Sequence, residues 1–195
     1  MSIAERTIID PEPPRKRMTI DGFLALPDDG VDRMLLGGEV WDLGPMIKPR
    51  LHGEVAAAVV GCLGGWLRGR PAPCGGLYAC NTGFRLDEGS IVGVDIAYAA
   101  PELVARLPPD AEIFEGPPTL AVEVLAPTDR YGPLAARVRK YLQAGVVVWE
   151  VEPEYQLVRV HRPGLPVESF NVTRELVGDP YLPGFRVAVA ELFNP

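Results

Sequence analysis

The sequence is poor in the residues that build disulfide scaffolds, zinc sites and membrane spans. Its 195 residues include three cysteines and two histidines, and neither type occurs at the spacing of a zinc motif. The odd cysteine count favours reduced thiols. The longest apolar stretch, 55–67, is interrupted by three glycines and is too short to cross a bilayer. Because the N-terminus also lacks the apolar segment of a signal peptide, we expect a cytoplasmic protein without membrane contacts.

Positive charge is scarce as well. The chain has 19 Lys and Arg against 26 Asp and Glu, which gives a formal net charge of −7 and a pI near 4.9. Such a balance argues against a protein that coats nucleic acid through a broad basic face. It does not exclude a nuclease, because clustered acids that hold a divalent cation also lower the pI.

What the sequence does contain indicates one folded domain. Apolar residues make up 47% of the chain, enough for a core, and 21 Gly with 21 Pro predict many turns and short elements. Residues 1–17 are polar and proline-rich, which predicts a flexible arm before a single domain at 18–195. The order of predicted helices and strands favours an α/β (mixed α+β) fold, with a central mixed sheet flanked by helices.

Two predicted strands each carry one acid among apolar neighbours. Glu123 lies at the centre of the run 119–127, and Asp95 has the same setting in 91–99. A carboxylate in an apolar strand is costly unless it is paired, protonated or bound to a metal. Two adjacent strands that bring one acid each to the same place would make a metal site. The alternative is that both acids satisfy only buried backbone or arginine groups.

Two predicted helices offer further polar candidates. In the helix at about 49–68, His52 and Glu54 flank the apolar stripe, and either could face the two acids, although a surface Glu and a satisfied His are the default interpretation. In the helix at 133–144, Arg137 and Lys140 lie three residues apart on one flank. They could lean over the acids or be solvated surface charges.

These segments together resemble the Uma family of putative restriction endonucleases, a branch of the PD-(D/E)XK nuclease superfamily. Each matching fragment is short, but their order along the chain is the family's order. The fragments are 18–27, 38–40, 51–52, 94–97, 121–127, 141–146, 182–185 and 191–193.

The resemblance implies a fold, an activity and a set of residues. It implies a restriction-endonuclease-like sheet and hydrolysis of DNA, with Asp95 and Glu123 as metal ligands and Glu54 as the glutamate of the first helix. Hard oxygen ligands suit Mg²⁺ or Mn²⁺, and either ion would activate water and stabilise charge on the phosphate. Cutting both strands of a duplex normally requires two active sites, so a homodimer is expected.

The sequence departs from the family pattern at three positions. The superfamily lysine two residues after the glutamate is Leu125 here, and Val94 replaces the usual proline before the aspartate. A lysine on the following helix replaces the strand lysine in the resembling family, but that position is Arg137, with Lys140 further along. Arginine can stabilise a phosphate but is a poor general base. A catalytically degenerate binding or regulatory module is therefore the alternative to a working nuclease.

Overall fold

The structure, a computed structural model, describes residues 15–45, 47–127, 129 and 131–193. The helices are α1 (Ile20–Leu24), α2 (Arg50–Arg68), α3 (Pro101–Val104) and α4 (Tyr131–Gln143), and a 3-10 helix spans Val189–Leu192. The strands are β1 (Val31–Leu36), β2 (Glu39–Pro45), β3 (Gly76–Asp87), β4 (Ser90–Ala99), β5 (Phe114–Glu115), β6 (Leu120–Val124), β7 (Val147–Glu152), β8 (Leu157–His161), β9 (Glu168–Asn171), β10 (Glu175–Val177) and β11 (Arg186–Ala188).

In these described residues, a nine-stranded mixed sheet dominates the fold. Its order is β2-β1-β4-β6-β7-β8-β9, with β3 paired to β4 and β5 paired to β3, while β10 and β11 form a separate pair. Strands β6 and β7 run parallel and are connected through α4, as parallel neighbours require a crossover. This architecture confirms the predicted mixed sheet flanked by helices.

The sheet buries both of its faces because its central strands are apolar on both sides. Helix α2 packs on one face through Val55, Val59 and Leu63, and α4 packs on the other through Val138 and Tyr141. Alternate strand residues divide accordingly: Ile96, Val122 and Trp149 belong to the α2 side, and Ala97, Ala121 and Val148 to the α4 side.

Strand β4 changes neighbours along one of its edges. Residues 96–98 pair with β6, whereas Ile91 near its start pairs with Leu35 of β1. The other edge is occupied by β3 along most of its length. Between the two partners on the first edge lies Asp95, at the point where the pairing with β6 ends. The sheet therefore opens beside this residue.

The start of the described chain lies against β2. The Lys16 carbonyl accepts a hydrogen bond from the Val40 amide, and the Met18 amide donates to the Gly38 carbonyl, both at 2.9 Å. The predicted flexible arm, 1–17, thus has its last residues attached to the sheet edge, and 1–14 lie outside the described residues. The division into an arm and one domain stays a prediction. Within the described ranges, no helix is both long enough and apolar enough to span a membrane.

Candidate active site

Asp95 and Glu123 lie on the same face of the sheet. The antiparallel ladder pairs Ile96 with Val122 and Ala97 with Ala121, so one further step places Asp95 opposite Glu123. Side chains alternate between faces along a strand, and both acids therefore share the α4 face with Ala97 and Ala121. Beyond the ladder, Asp95 Oδ2 accepts a 2.9 Å hydrogen bond from the Val124 amide. This bond holds the aspartate in the opening between the two strands.

Helix α4 supplies the partners of Glu123, whose side chain is only 1% exposed. The Tyr141 hydroxyl donates to Glu123 Oε1 at 2.8 Å, and Arg137 Nη2 lies 2.6 Å from Oε2. Residues four apart on a helix project from the same side, which explains how both reach one carboxylate. Each oxygen of Glu123 thus has its own partner on α4.

The two carboxyls titrate in opposite directions. Burial raises the pKa of Glu123 to about 8, against the lowering effect of Arg137. Burial also acts to raise the pKa of Asp95, but its contact with His52, the Val124 amide and Arg137 together hold that pKa below its ordinary value. At neutral pH Asp95 is therefore ionised, whereas Glu123 holds a proton more readily than an ordinary glutamate does.

Asp95 is the more accessible of the two acids. Its side chain is 18% exposed, and His52 Nε2, from the first turn of α2, lies 3.4 Å from its Oδ2. On its open side the aspartate lines a small pocket with a cavity volume of about 20 Å³, enough for one water molecule or ion. The other walls of this pocket are Asp32, Leu43, Lys48, Asp129, Pro133, Leu134 and Arg137.

A second ion pair closes the pocket across from Asp95. Lys48 Nζ lies 3.1 Å from Asp129 Oδ1, and the Ala126 amide donates to Asp129 Oδ2 at 2.8 Å. Lys48 comes from the connection between β2 and α2, and Asp129 from the segment between β6 and α4. The pocket consequently combines three aspartates with two cations, one lysine and one arginine.

Comparisons with known proteins give the family and the fold of the chain. The Uma2 family model, described as a putative restriction endonuclease, matches residues 20–190. The chain belongs to the Uma2 family. A crystal structure from Anabaena variabilis, described as a putative nuclease belonging to DUF820, superposes with a TM-score of 0.78 at 19% identity, covering 91% of this chain and 98% of that one. At that identity the likeness shows the fold alone. No curated protein matches the chain significantly.

Of the residues that the Uma2 resemblance implied, Glu54 does not reach the pocket. Its carboxylate forms an ion pair with Arg50 one turn earlier on α2, and its side chain is 40% exposed. His52, the alternative on this helix, contacts Asp95 instead. Residues two apart on a helix point about 200° away from each other, so the turn that directs His52 inward directs Glu54 toward solvent.

The structure also separates Lys140 from Arg137. Lys140 Nζ pairs with Asp87 at the end of β3 and lines a different cavity, next to Trp41 and Arg139. Three residues of helix advance the side chain by about 4.5 Å and rotate it by about 60°, which carries Lys140 past the acids. The expectation that both cations lean over the two acids is therefore corrected: Arg137 pairs with Glu123 and lines the pocket of Asp95, and Lys140 does neither.

Sequence reasoning missed four polar side chains at this site: Asp32, Lys48 and Asp129, which line the pocket, and Tyr141, which donates to Glu123. The only sequence signal for Lys48 is its rarity, since the chain contains just three lysines, at 16, 48 and 140. Asp129 lies in the short connection between β6 and α4. A residue so close to the end of the Glu123 strand lies at the same edge of the sheet.

The donor set suits a small hard cation better than zinc. Within the described ranges, no group of three or more His, Cys, Asp and Glu side chains is arranged to hold a metal. Mg²⁺ is usually bound through one or two carboxylates, with waters and substrate phosphates as its other ligands. The ionised, partly open Asp95 meets that need, and Glu123 can serve as the second ligand if it exchanges Arg137 for the cation.

Proposed function

We propose that this Uma2 protein is a metal-dependent endonuclease that hydrolyses DNA phosphodiester bonds. One observation carries the proposal: Asp95 stands opposite Glu123 of the neighbouring strand and lines a pocket with two cations, Lys48 and Arg137, of which Arg137 is the partner of Glu123. A pocket that places carboxylates beside Lys or Arg can bind a phosphate through a divalent cation and stabilise its charge directly. The family match and the nuclease-like fold support the same activity.

Each residue of the site has its own proposed role. Mg²⁺ or Mn²⁺, when bound, would lower the pKa of water and stabilise charge on the phosphate. Asp95, fixed by the Val124 amide and His52, would hold the cation. Glu123 would be the second ligand, and it would have to lose any proton it holds before binding. Arg137, at the pocket wall, would then be free to pair with a phosphate oxygen.

Arg137 is well suited to that task. Burial acts to lower the pKa of its guanidinium, but the charge of Glu123 outweighs it and raises that pKa; an arginine is in any case not deprotonated near neutral pH. Its Nε is buried and has no hydrogen-bond partner among the described residues. Arginine cannot exchange a proton at neutral pH, so it contributes charge and orientation only.

Both strands of a duplex require two cuts, and one pocket per chain supplies one. We therefore propose a homodimer as the form that cleaves duplex DNA.

The second candidate function is a catalytically degenerate module that binds without cutting. Two observations favour it: Leu125 stands where the superfamily has a lysine, and Arg137 already occupies one oxygen of Glu123. A binding module would keep the fold and the pocket but not the turnover.

A cleavage panel combined with thermal melting distinguishes the two functions. Single-stranded, duplex and branched DNA and an RNA control are incubated with the protein, with Mn²⁺, with Mg²⁺ and with EDTA. We expect metal-dependent cleavage of at least one DNA and a higher melting temperature with metal, because a ligand of the folded state stabilises it. A metal-dependent melting shift without cleavage would favour the binding module. The absence of both the melting shift and cleavage would contradict the proposed function.

A further inference from the structure

We infer that Lys48 is a catalytic residue of this site and contacts the scissile phosphate. The inference rests on the proposed nuclease function and adds a residue from outside the family's strand and helix positions. It starts from the need of phosphodiester hydrolysis for positive charge beside the phosphate, in addition to the charge of the metal. The side chains that can provide this charge are the cationic ones that line the pocket of Asp95.

Elimination among the lysines leaves one. Lys140 is paired with Asp87, and Lys16 lies exposed at the start of the described chain, beside β2. Leu125, at the superfamily lysine position, lines a separate apolar pocket with Pro49 and Pro127. Lys48 alone of the three lysines lines the pocket of Asp95.

Lys48 is also held as a catalytic cation should be. Its side chain is 23% exposed, and Asp129, which anchors it at 3.1 Å, is itself fixed by the Ala126 amide. The ammonium group is thus positioned by one carboxylate, and among the described residues it has no second partner, which leaves N–H bonds for a ligand in the pocket. Preorganised charge of this kind stabilises a transition state without further rearrangement.

Lys48 and Arg137 line the same pocket but belong to different ion pairs. Arg137 is engaged by Glu123, deep under α4, whereas Lys48 is engaged by Asp129 nearer the surface. A phosphate bound to a cation at Asp95 would have Arg137 on its buried side and Lys48 on its open side. We assign Lys48 a charge-stabilising contact with a non-bridging phosphate oxygen, with no proton transfer.

The test compares Lys48→Ala, Lys48→Arg and the matched control Lys140→Ala, whose lysine pairs with a carboxylate outside the pocket. Steady-state cleavage is measured with Mn²⁺, and binding of a short DNA oligonucleotide is measured by fluorescence anisotropy with Ca²⁺ in place of Mn²⁺. We expect Lys48→Ala to lower kcat/KM about a hundredfold and to weaken binding, while Lys140→Ala stays within about twofold of wild type. Melting temperatures verify that each variant is folded.

The arginine variant separates charge from proton transfer. If Lys48 acts through its charge, Lys48→Arg retains activity within about tenfold of wild type, because arginine keeps the charge but cannot exchange a proton. Loss in Lys48→Arg equal to that in Lys48→Ala would overturn the assigned role.

The outcomes also separate this inference from the proposed function. If wild type cleaves and Lys48→Ala behaves like Lys140→Ala in both assays, the role of Lys48 is refuted and the nuclease remains. If wild type binds without cleaving and Lys48→Ala weakens binding, the phosphate contact survives and turnover does not. If wild type neither binds nor cleaves, both are overturned.

Discussion

Two regions of the same sheet face hold acidic side chains away from solvent, and they satisfy them in different ways. In one, Asp95 and Glu123 obtain their side-chain partners from helices: His52 on α2, and Arg137 and Tyr141 on α4. The other region is on the next strands. There Glu150 and Glu152 of β7 are buried and take their partners from the adjacent strand β8, namely His161, 3.0 Å from Glu150, and Arg159, which pairs with Glu152.

The difference shows what a buried acid does and does not indicate. Side chains of neighbouring strands that lie opposite or diagonal to each other can neutralise charge locally, and the ladder of β7 and β8 brings Arg159 and His161 within reach of both glutamates. Such acids need no ligand. Asp95 lies where the pairing of β4 with β6 ends, beside an open pocket. Burial alone therefore does not single out a candidate site, whereas burial next to an interrupted ladder and a pocket does.

The largest expected effect is on cleavage. Replacing Asp95 with Asn or Glu123 with Gln should lower the metal-dependent rate at least about a hundredfold, since even residues that only orient metal ligands cost 10–100-fold. The matched control is Glu152→Gln, which alters another buried strand carboxylate, in the other region, and should leave the rate unchanged. Rates are compared at one Mn²⁺ concentration. An equal loss in all three variants would erase the distinction between the regions.

The next effect concerns stability and pH in metal-free protein. Burial raises the pKa of Glu123 from 4.5 to about 8, so between these values the folded state holds a proton that the unfolded state releases. Its contribution to stability is complete below about pH 4.5 and is lost as the pH rises through about 8. We expect the free energy of unfolding of wild type, relative to Glu123→Gln, to fall by more than about 1 kcal/mol from pH 5 to 8.

Urea unfolding of both proteins with EDTA, at several pH values, measures this difference. The lowered pKa of Asp95 acts at more acidic pH, because an acid with a lowered pKa loses its contribution only as the pH falls toward its folded value. The titration of Asp95 therefore does not affect the difference measured between pH 5 and 8. A difference that stays constant or grows with pH would show that Glu123 is ionised throughout the window, held so by Arg137.

Much of the fold could be predicted from the sequence because the signals are local. Thr19 caps α1 through a side-chain bond to the Gly22 amide, as its residue type suggests. The four-residue spacing of Val55 and Val59 is that of one helix face in α2, and the glycines at 37 and 38 suit the tight turn between β1 and β2. Each of these features depends on a few neighbouring residues.

The site could be predicted only in part, because it depends on contacts distant in sequence. A lone acid in an apolar strand identified Asp95 and Glu123, yet Glu150 in 146–151 meets the same criterion, and only the pairing with β8 explains it. Periodicity gave the buried stripe of α2 but not its rotation toward the sheet edge, which decides between His52 and Glu54. Lys48 lies in a connection whose position no local pattern encodes.

The smallest expected effect comes from the second region. Arg159→Ala removes the cation that pairs with Glu152, but the arginine is 40% exposed, so water screens much of the interaction. We expect the free energy of unfolding to fall by about 1 kcal/mol, nearer to a surface pair than to a fully buried one. Cleavage should not change, since β8 contributes no side chain to the pocket of Asp95, within the part of the chain that the structure describes.

Arg159→Lys is the control that keeps the charge, and it should recover most of the lost stability. A fall in cleavage with Arg159→Ala at a temperature where the variant is fully folded would mean that the two acid regions are coupled through the pairing of Glu123 with Glu150, and that the active site extends across β7.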